Sequence, residues 1–183
     1  MRRALIGGIG NVLLGDDGVG PYVVRVLESE YSFGEDVEIA DLGTPALDLT
    51  HRIVGLDTLI LVDCVTSDDL PGSVLLYRKA DILSETPAQR LDPHSPALSE
   101  CLLSADMLGA SPENVLLVGI AGGDYDPGCE LSEAVRRSVR KAITAILQEL
   151  EKSGYACTKK PVPDEPGIWW SHECAPASAV ADR

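Results

Sequence analysis

The chain is poor in aromatic side chains, which make up 4% of its 183 residues and include a single Phe. Its core must therefore be built from Val, Leu, Ile and Ala, a composition that suits a parallel sheet buried on both faces. Positive charge is scarce too: 15 Lys and Arg stand against 29 Asp and Glu, for a formal charge of −14. Such a surface repels phosphate backbones and makes nucleic acid a poor partner, whereas a cation or a basic protein or peptide is easier to accommodate. No C-x-x-C pair occurs among Cys64, Cys101, Cys129, Cys157 and Cys174. Their odd number and scatter argue against a disulfide framework and a thiolate zinc site, and point to a reducing cytoplasm. No segment approaches the roughly 20 apolar residues of a membrane span. Arg2 and Arg3 precede an apolar run, but Gly7, Gly8, Gly10 and Asn11 break it and it ends in Asp-Asp, unlike a signal peptide. A soluble cytoplasmic protein with no membrane partner is expected.

What the chain does contain is organised around Ala4 to Gly20. An apolar run (Ala4, Leu5, Ile6) enters close glycines and a polar turn, then two adjacent carboxylates, Asp16 and Asp17, before a helical pattern starts. Strand, glycine turn, acid pair and helix is how an open α/β sheet presents a site at the carboxyl end of its first strand. The helix follows from Val19, Val23, Val26 and Leu27 and runs to about Tyr31, with Asp16 or Asp17 expected to cap its start. Val37 to Leu42 reads as a strand, and Ala46 to Val54 as a short helix containing His51.

Thr58 to Val65 is the clearest buried strand, almost continuously apolar with one acid, Asp63, near its carboxyl end. The turn at Asp68 to Gly72 is too short for a crossover helix, so Ser73 to Tyr77 is expected to be antiparallel or at an edge. A polar, Pro-containing loop from Asp81 to Pro96 carries His94, and Leu98, Cys101, Leu102 and Ala105 mark a helix after it. Val115 to Ile120 reads as a fifth strand leading into the loop A-G-G-D-Y-D-P-G. The last helix has Val135, Val139, Ala142, Ile143, Ile146, Leu147 and Leu150 on one face. The expectation is a three-layer α/β/α sandwich with a mostly parallel sheet of about five strands, a single domain over residues 1–154. Residues 155–183, with four prolines and no period, read as an irregular or disordered tail.

Right-handed crossovers bring the carboxyl ends of the parallel strands to one edge, where Asp17, Asp63 and His94 can meet. Two carboxylates and an imidazole form an N/O set that leaves open positions on a metal and suits a borderline divalent ion such as nickel or zinc. Each residue has a plainer reading as well: Asp17 as a helix cap, Asp63 as a solvated strand-end acid, His94 as a loop residue bonded to its neighbours. Trp169-Trp170 and His172-Glu173-Cys174 suggest a docking patch or metal cluster, against which stand disorder or lattice packing. Gly8 and Gly10 also begin a dinucleotide fingerprint, with Asp41 as the ribose acid. However, Leu13 holds the third glycine position and two acids stand where a pyrophosphate would need positive surroundings.

G-I-G-N-V-L-L-G-D-D-G-V-G-P (Gly8 to Pro21), L-I-L-V-D-C-V, D-P-H-S-P and V-G-I-A-G-G-D-Y-D-P-G followed by L-S-E-A-V occur in that order. Together they resemble the hydrogenase maturation endopeptidases over about the first 150 residues. The resemblance implies a cytoplasmic endopeptidase, aspartic-type by family classification, that removes the carboxyl-terminal extension from the precursor of a [NiFe] hydrogenase large subunit. It implies that Asp17, Asp63 and His94 are both the catalytic and the metal-binding residues. The nickel they engage arrives within the substrate precursor, and zinc or cadmium could occupy the site in vitro. It further implies a monomer, with Asp16 as a supporting or capping neighbour and Gly43 in a loop beside the cleft. A nucleotide-binding Rossmann-like domain and a non-catalytic chaperone of the precursor are the alternative readings.

Overall fold

The computed structural model describes residues 2–45, 48–84 and 95–172. Among them the strands and α-helices follow in the order β1 (Ala4–Ile9), α1 (Val19–Glu30), β2 (Tyr31–Phe33), β3 (Val37–Gly43), α2 (Leu49–Ile53) and β4 (Thr58–Val65). Then come β5 (Val74–Arg78), α3 (Lys79–Ser84), α4 (Ser95–Met107), β6 (Asn114–Ala121), α5 (Glu133–Lys152) and β7 (Cys157–Lys159). The main sheet has the order β3-β1-β4-β6-β5. β3, β1, β4 and β6 are parallel, and β5 pairs antiparallel to β6 at the edge, as the short turn before it requires.

Alternation along the strands divides the core into two faces. Ile6, Ile60, Val62, Val118 and Ile120 pack with residues of α1 and α5. Leu5, Leu59, Leu61, Val115 and Leu117 pack with α2 and α4. The sheet is thus covered by helices on both sides, which is why β1 and β4 read as unbroken apolar runs. Two glycines let α1 come unusually close: a Cβ on Gly8 would lie 2.4 Å from the Gly20 carbonyl oxygen, and one on Gly20 would lie 2.1 Å from that of Ile9. This contact presses the first turn of α1 against the carboxyl ends of β1 and β4. The two glycines serve backbone packing.

On the far side of the sandwich, ion pairs between exposed arginines and buried glutamates tie elements together. Arg78 of β5 meets Glu149 of α5 at 2.5 Å, and Arg140 of α5 pairs with Glu30 at the end of α1. Ser132 caps α5, its hydroxyl oxygen accepting from the Val135 amide at 3.4 Å. No described helix is long and apolar enough to cross a membrane.

Three local expectations change. Asp16 and Asp17 do not cap α1: they lie in a 3-10 turn, Gly15–Gly18, and Gly18 occupies the cap position without a side-chain bond. The start of the expected loop at Asp81 is instead helix α3, stabilised where Asp81 accepts the Arg78 amide at 2.7 Å. This six-residue helix buries only Ile82, too little to leave a period in the sequence. The described part of the tail holds a strand and a 3-10 turn, with no regular element over residues 160–168. β7 pairs antiparallel with β2, the Lys160 and Asp164 amides donate to the Glu30 and Ser29 carbonyls, and Trp170 is 2% exposed. A three-residue strand whose partner lies more than a hundred residues away has no local signature. Residues 46–47, where the second expected helix begins, most of the 81–96 loop with His94, and 173–183 with Cys174 lie outside the described residues.

Candidate active site

From β1 the chain passes through α1 to β3 on one side, then crosses β1 to reach β4 on the other. Ligands of open α/β sheets bind where the strand order reverses in this way, outside the carboxyl ends of the strands. Here that crevice lies between β1 and β4. The 3-10 turn that carries Asp17 packs against β4, which carries Asp63 near its end.

Both carboxylates are buried. Asp17 accepts the Asn11 amide at 2.7 Å, and its own amide donates to the Leu14 carbonyl at 3.1 Å, so the turn closes on itself. Gly10 makes that closure possible: its φ is +135°, and a Cβ there would lie 1.8 Å from the Asp17 carbonyl oxygen. Asp63 is paired in register with Gly119 of β6 and accepts the Cys64 amide at 2.9 Å. By alternation it faces the α2 and α4 side with Leu59 and Leu61, while Cys64 faces α1.

Cys64 reports how closely the acids gather. Burial, first, and then the negative charges of Asp63, Asp17 and Asp16 push its thiol up to about 12, partly offset by its hydrogen bond with Tyr125, in which the thiol donates to the hydroxyl oxygen. The thiol therefore stays protonated and contributes no thiolate to this edge.

Asp16 points away from Asp17 and holds the loop after β6. Fully buried, it accepts the amides of Gly123 at 2.9 Å, Asp124 at 3.0 Å and Ser132 at 2.7 Å, and the Ser132 hydroxyl at 2.9 Å. Main-chain bonds complete the join, from Gly15 to the Gly128 carbonyl and from Asp16 to that of Asp124. The roles of Ser132 and Tyr125 were missed in the sequence, although the glycine loop that carries Tyr125 was noted there.

The turn that carries Asp17 and the strand end that carries Asp63 thus share one edge, and His94 lies outside the described residues. Among the described residues no group of three His, Cys, Asp or Glu side chains could by itself hold a metal ion. The two carboxylates are the described part of the expected N/O set, and their oxygen donors suit a divalent cation. Asp41 is engaged elsewhere, accepting the Gly43 amide at 3.1 Å beside Arg25, and the acid pair at the mouth of α1 gives a pyrophosphate no positive surroundings. His51 is an exposed residue of α2. Cys129 is disulfide-bonded, although the scatter of the cysteines argues against a disulfide framework, while Cys64, Cys101 and Cys157 are free. Trp169 and Trp170 form an edge-to-face pair with centroids 5.6 Å apart, so disorder does not describe them.

A family model described as hydrogenase maturation protease matches residues 21–149. The hydrogenase 2 maturation protease of Escherichia coli K12 is 31% identical over 156 residues, covering 83% of this chain and 93% of that protein. The hydrogenase expression/formation protein HupD of Bradyrhizobium diazoefficiens is 30% identical, over 88% of this chain and 85% of its own. Among solved structures, the hydrogenase maturating endopeptidase HybD from E. coli superposes with a TM-score of 0.78 at 28% identity, covering 86% of this chain and 98% of that one. The [NiFe] hydrogenase maturation protease HybD from Thermococcus kodakarensis gives 0.66 at 26% identity, over 80% and 97%.

Proposed function

The chain belongs to the hydrogenase maturation protease family, and from that premise we propose that it cuts the carboxyl-terminal extension from a nickel-loaded [NiFe] hydrogenase large-subunit precursor. It is a hydrolase of the endopeptidase class. The observation that supports the site assignment is a pair of buried carboxylates, Asp17 in the 3-10 turn after β1 and Asp63 near the end of β4, on elements that pack together at the reversal of strand order. Their oxygens, with His94, engage the nickel that the precursor carries, so that the metal belongs to the substrate and recognition depends on its having been inserted.

Engagement at Asp17 and Asp63 sets the scissile peptide beside two carboxylates. One of them takes a proton from water as the water oxygen bonds to the carbonyl carbon. The carbon–nitrogen bond then breaks, and the proton passes to the leaving amine. The Asn11 amide orients Asp17 and the Cys64 amide orients Asp63, leaving each carboxylate fixed in direction before substrate arrives.

The test is intact mass of nickel-loaded and nickel-free precursor incubated with the wild-type protein and with Asp17→Asn, Asp63→Asn and His94→Ala. A discrete carboxyl-terminal loss is expected only from loaded precursor with wild type. Full-rate processing by Asp17→Asn would overturn the site assignment. A persistent wild-type complex without cleavage would make the protein a chaperone of the precursor.

A further inference from the structure

We propose that Cys129 is a reversible redox site, whose disulfide with Cys174 straps the carboxyl-terminal segment to the loop after β6. The sequence holds five cysteines. Cys64, Cys101 and Cys157 are thiols, and Cys129 is disulfide-bonded. Cys174, outside the described residues, is the one cysteine left to be its partner. Cys129 is half-buried and follows Gly128, whose amide donates to the Leu13 carbonyl and whose carbonyl accepts the Gly15 amide, both at 2.9 Å. The bond therefore acts on the loop that Asp16 ties to the first turn.

The described part of the tail leads toward that loop. Its near anchor lies at the end of α1, where β7 pairs with β2 and the Lys160 and Asp164 amides reach the Glu30 and Ser29 carbonyls. Residues 165–172 can span about 28 Å. The 12-residue helix α1 is about 18 Å long, so this stretch suffices to return to the end where the site lies. Only Glu173 separates His172 from Cys174, and a disulfide holds its two Cα atoms within about 7 Å. The bond thus places His172 within about 14 Å of Cys129. The whole strap lies beyond the residues that the family model matches, which end at 149.

In a reducing compartment such a bond is held open by the thiol pool and closes when that pool becomes oxidised. The oxidant is a small-molecule disulfide such as glutathione disulfide. One cysteine thiolate attacks a sulfur of that molecule, forming a mixed disulfide and releasing one small thiolate. The other cysteine thiolate attacks the protein-bound sulfur, which closes the Cys129–Cys174 bond and releases the second. Two protein thiols are oxidised, one small disulfide is reduced, and the two cysteine protons end on the small thiols. Cys64 and Cys101, 1% and 0% exposed, are out of reach of this exchange.

Both tryptophans of the chain, Trp169 and Trp170, lie in the strap, so their fluorescence reports on it alone. Emission, acrylamide quenching and Tm are followed for wild type, Cys129→Ser, Cys174→Ser and a Cys157→Ser control, at rising ratios of reduced to oxidised glutathione. Alkylation after denaturation, read by mass, counts thiols and maps the linked peptides. Oxidised wild type should show three thiols and a peptide joining Cys129 to Cys174, and the reduced protein five. Reduction should raise quenching about twofold or more as the strap loosens. It should also lower Tm by about 5–10 °C, the loss expected on opening a loop of this length. Cys129→Ser and Cys174→Ser should match reduced wild type at every ratio, and Cys157→Ser should respond as wild type does. Five thiols at every ratio, a Cys129 bond to another cysteine or to a second chain, or quenching and Tm indifferent to reduction would overturn the inference. None of these readouts uses the precursor, so such a failure leaves the proposed protease function untouched.

Discussion

Replacing Asp16 with Ala removes one acceptor group on which the Gly123, Asp124 and Ser132 amides and the Ser132 hydroxyl converge, all within 3.0 Å. A buried donor left without its acceptor costs about 1–3 kcal/mol. The hydroxyl can rotate to another partner, and a water entering the vacated space recovers part of the loss for the amides. The net destabilisation should be about 3–5 kcal/mol, a large share of the roughly 5–15 kcal/mol that holds a domain of this kind together. Asp16→Asn keeps one carbonyl oxygen but turns an NH2 toward donors, and should lose about half as much. In urea, with a slope of about 2 kcal/mol/M, the Ala variant's midpoint should fall by about 2 M with the slope unchanged. Ser132→Ala should cost about 1–2 kcal/mol, from its cap and its bond to Asp16. The double variant should cost less than the sum, because the two side chains share a hydrogen bond. A loss below about 1 kcal/mol for Asp16→Ala, or strict additivity with Ser132→Ala, would refute the account of Asp16 as the tie between the first turn and the loop after β6.

Gly10→Ala combines a φ of +135° with a Cβ driven against the Asp17 carbonyl, so it should cost about 2 kcal/mol or more in stability and abolish precursor cleavage; normal activity in a folded variant would show that the turn around Asp17 tolerates displacement. Arg140 beside Glu30 lowers that carboxyl below its ordinary 4.5, through a side-chain hydrogen bond first and then charge, against burial. A lowered native pKa contributes stability that is present above the unfolded value and lost as pH falls through the native one. Glu30→Gln should accordingly lower Tm at neutral pH by an amount equal to about 1 kcal/mol, given the exposure of Arg140, and the difference should shrink and vanish as the carboxyl is protonated below its ordinary range; a difference that persists in strong acid would point to packing instead.

The comparison of reading with structure turns on how local each signal is. β1 and β4 fall on the residues expected, Ala4–Ile9 and Thr58–Val65, because a strand buried on both faces must be apolar throughout and both are bounded by turn residues. The antiparallel edge strand followed from a turn too short to cross over. Asp17 and Asp63 were legible as site candidates because an acid in the turn after a parallel strand, or near its carboxyl end, belongs to the one edge where all such ends meet. His94 was reached through the resemblance and lies outside the described residues, so its place beside the two acids stays with the proposal.

What the tertiary structure alone decided is the direction of side chains and the partners of distant segments. Asp16 and Asp17 are chemically identical neighbours, and no periodicity distinguishes them. Their separation follows from a 3-10 turn, entered by Gly15 at φ +53°, that sends one toward the loop after β6 and the other toward Asn11. Ser132 was a polar residue before a helix until Asp16 came within bonding distance from more than a hundred residues away. The tail followed the same rule: β7 has meaning only beside β2, and residues 160–164 are tied to the end of α1 by the Lys160 and Asp164 amides. The sequence by itself determined which segments are buried and at which edge the chemistry lies, because burial is written in local composition. Only the fold decided that Asp16 ties the first turn to the loop after β6 while Asp17 turns to Asn11, because hydrogen-bond partners are set by contacts between segments far apart in the chain.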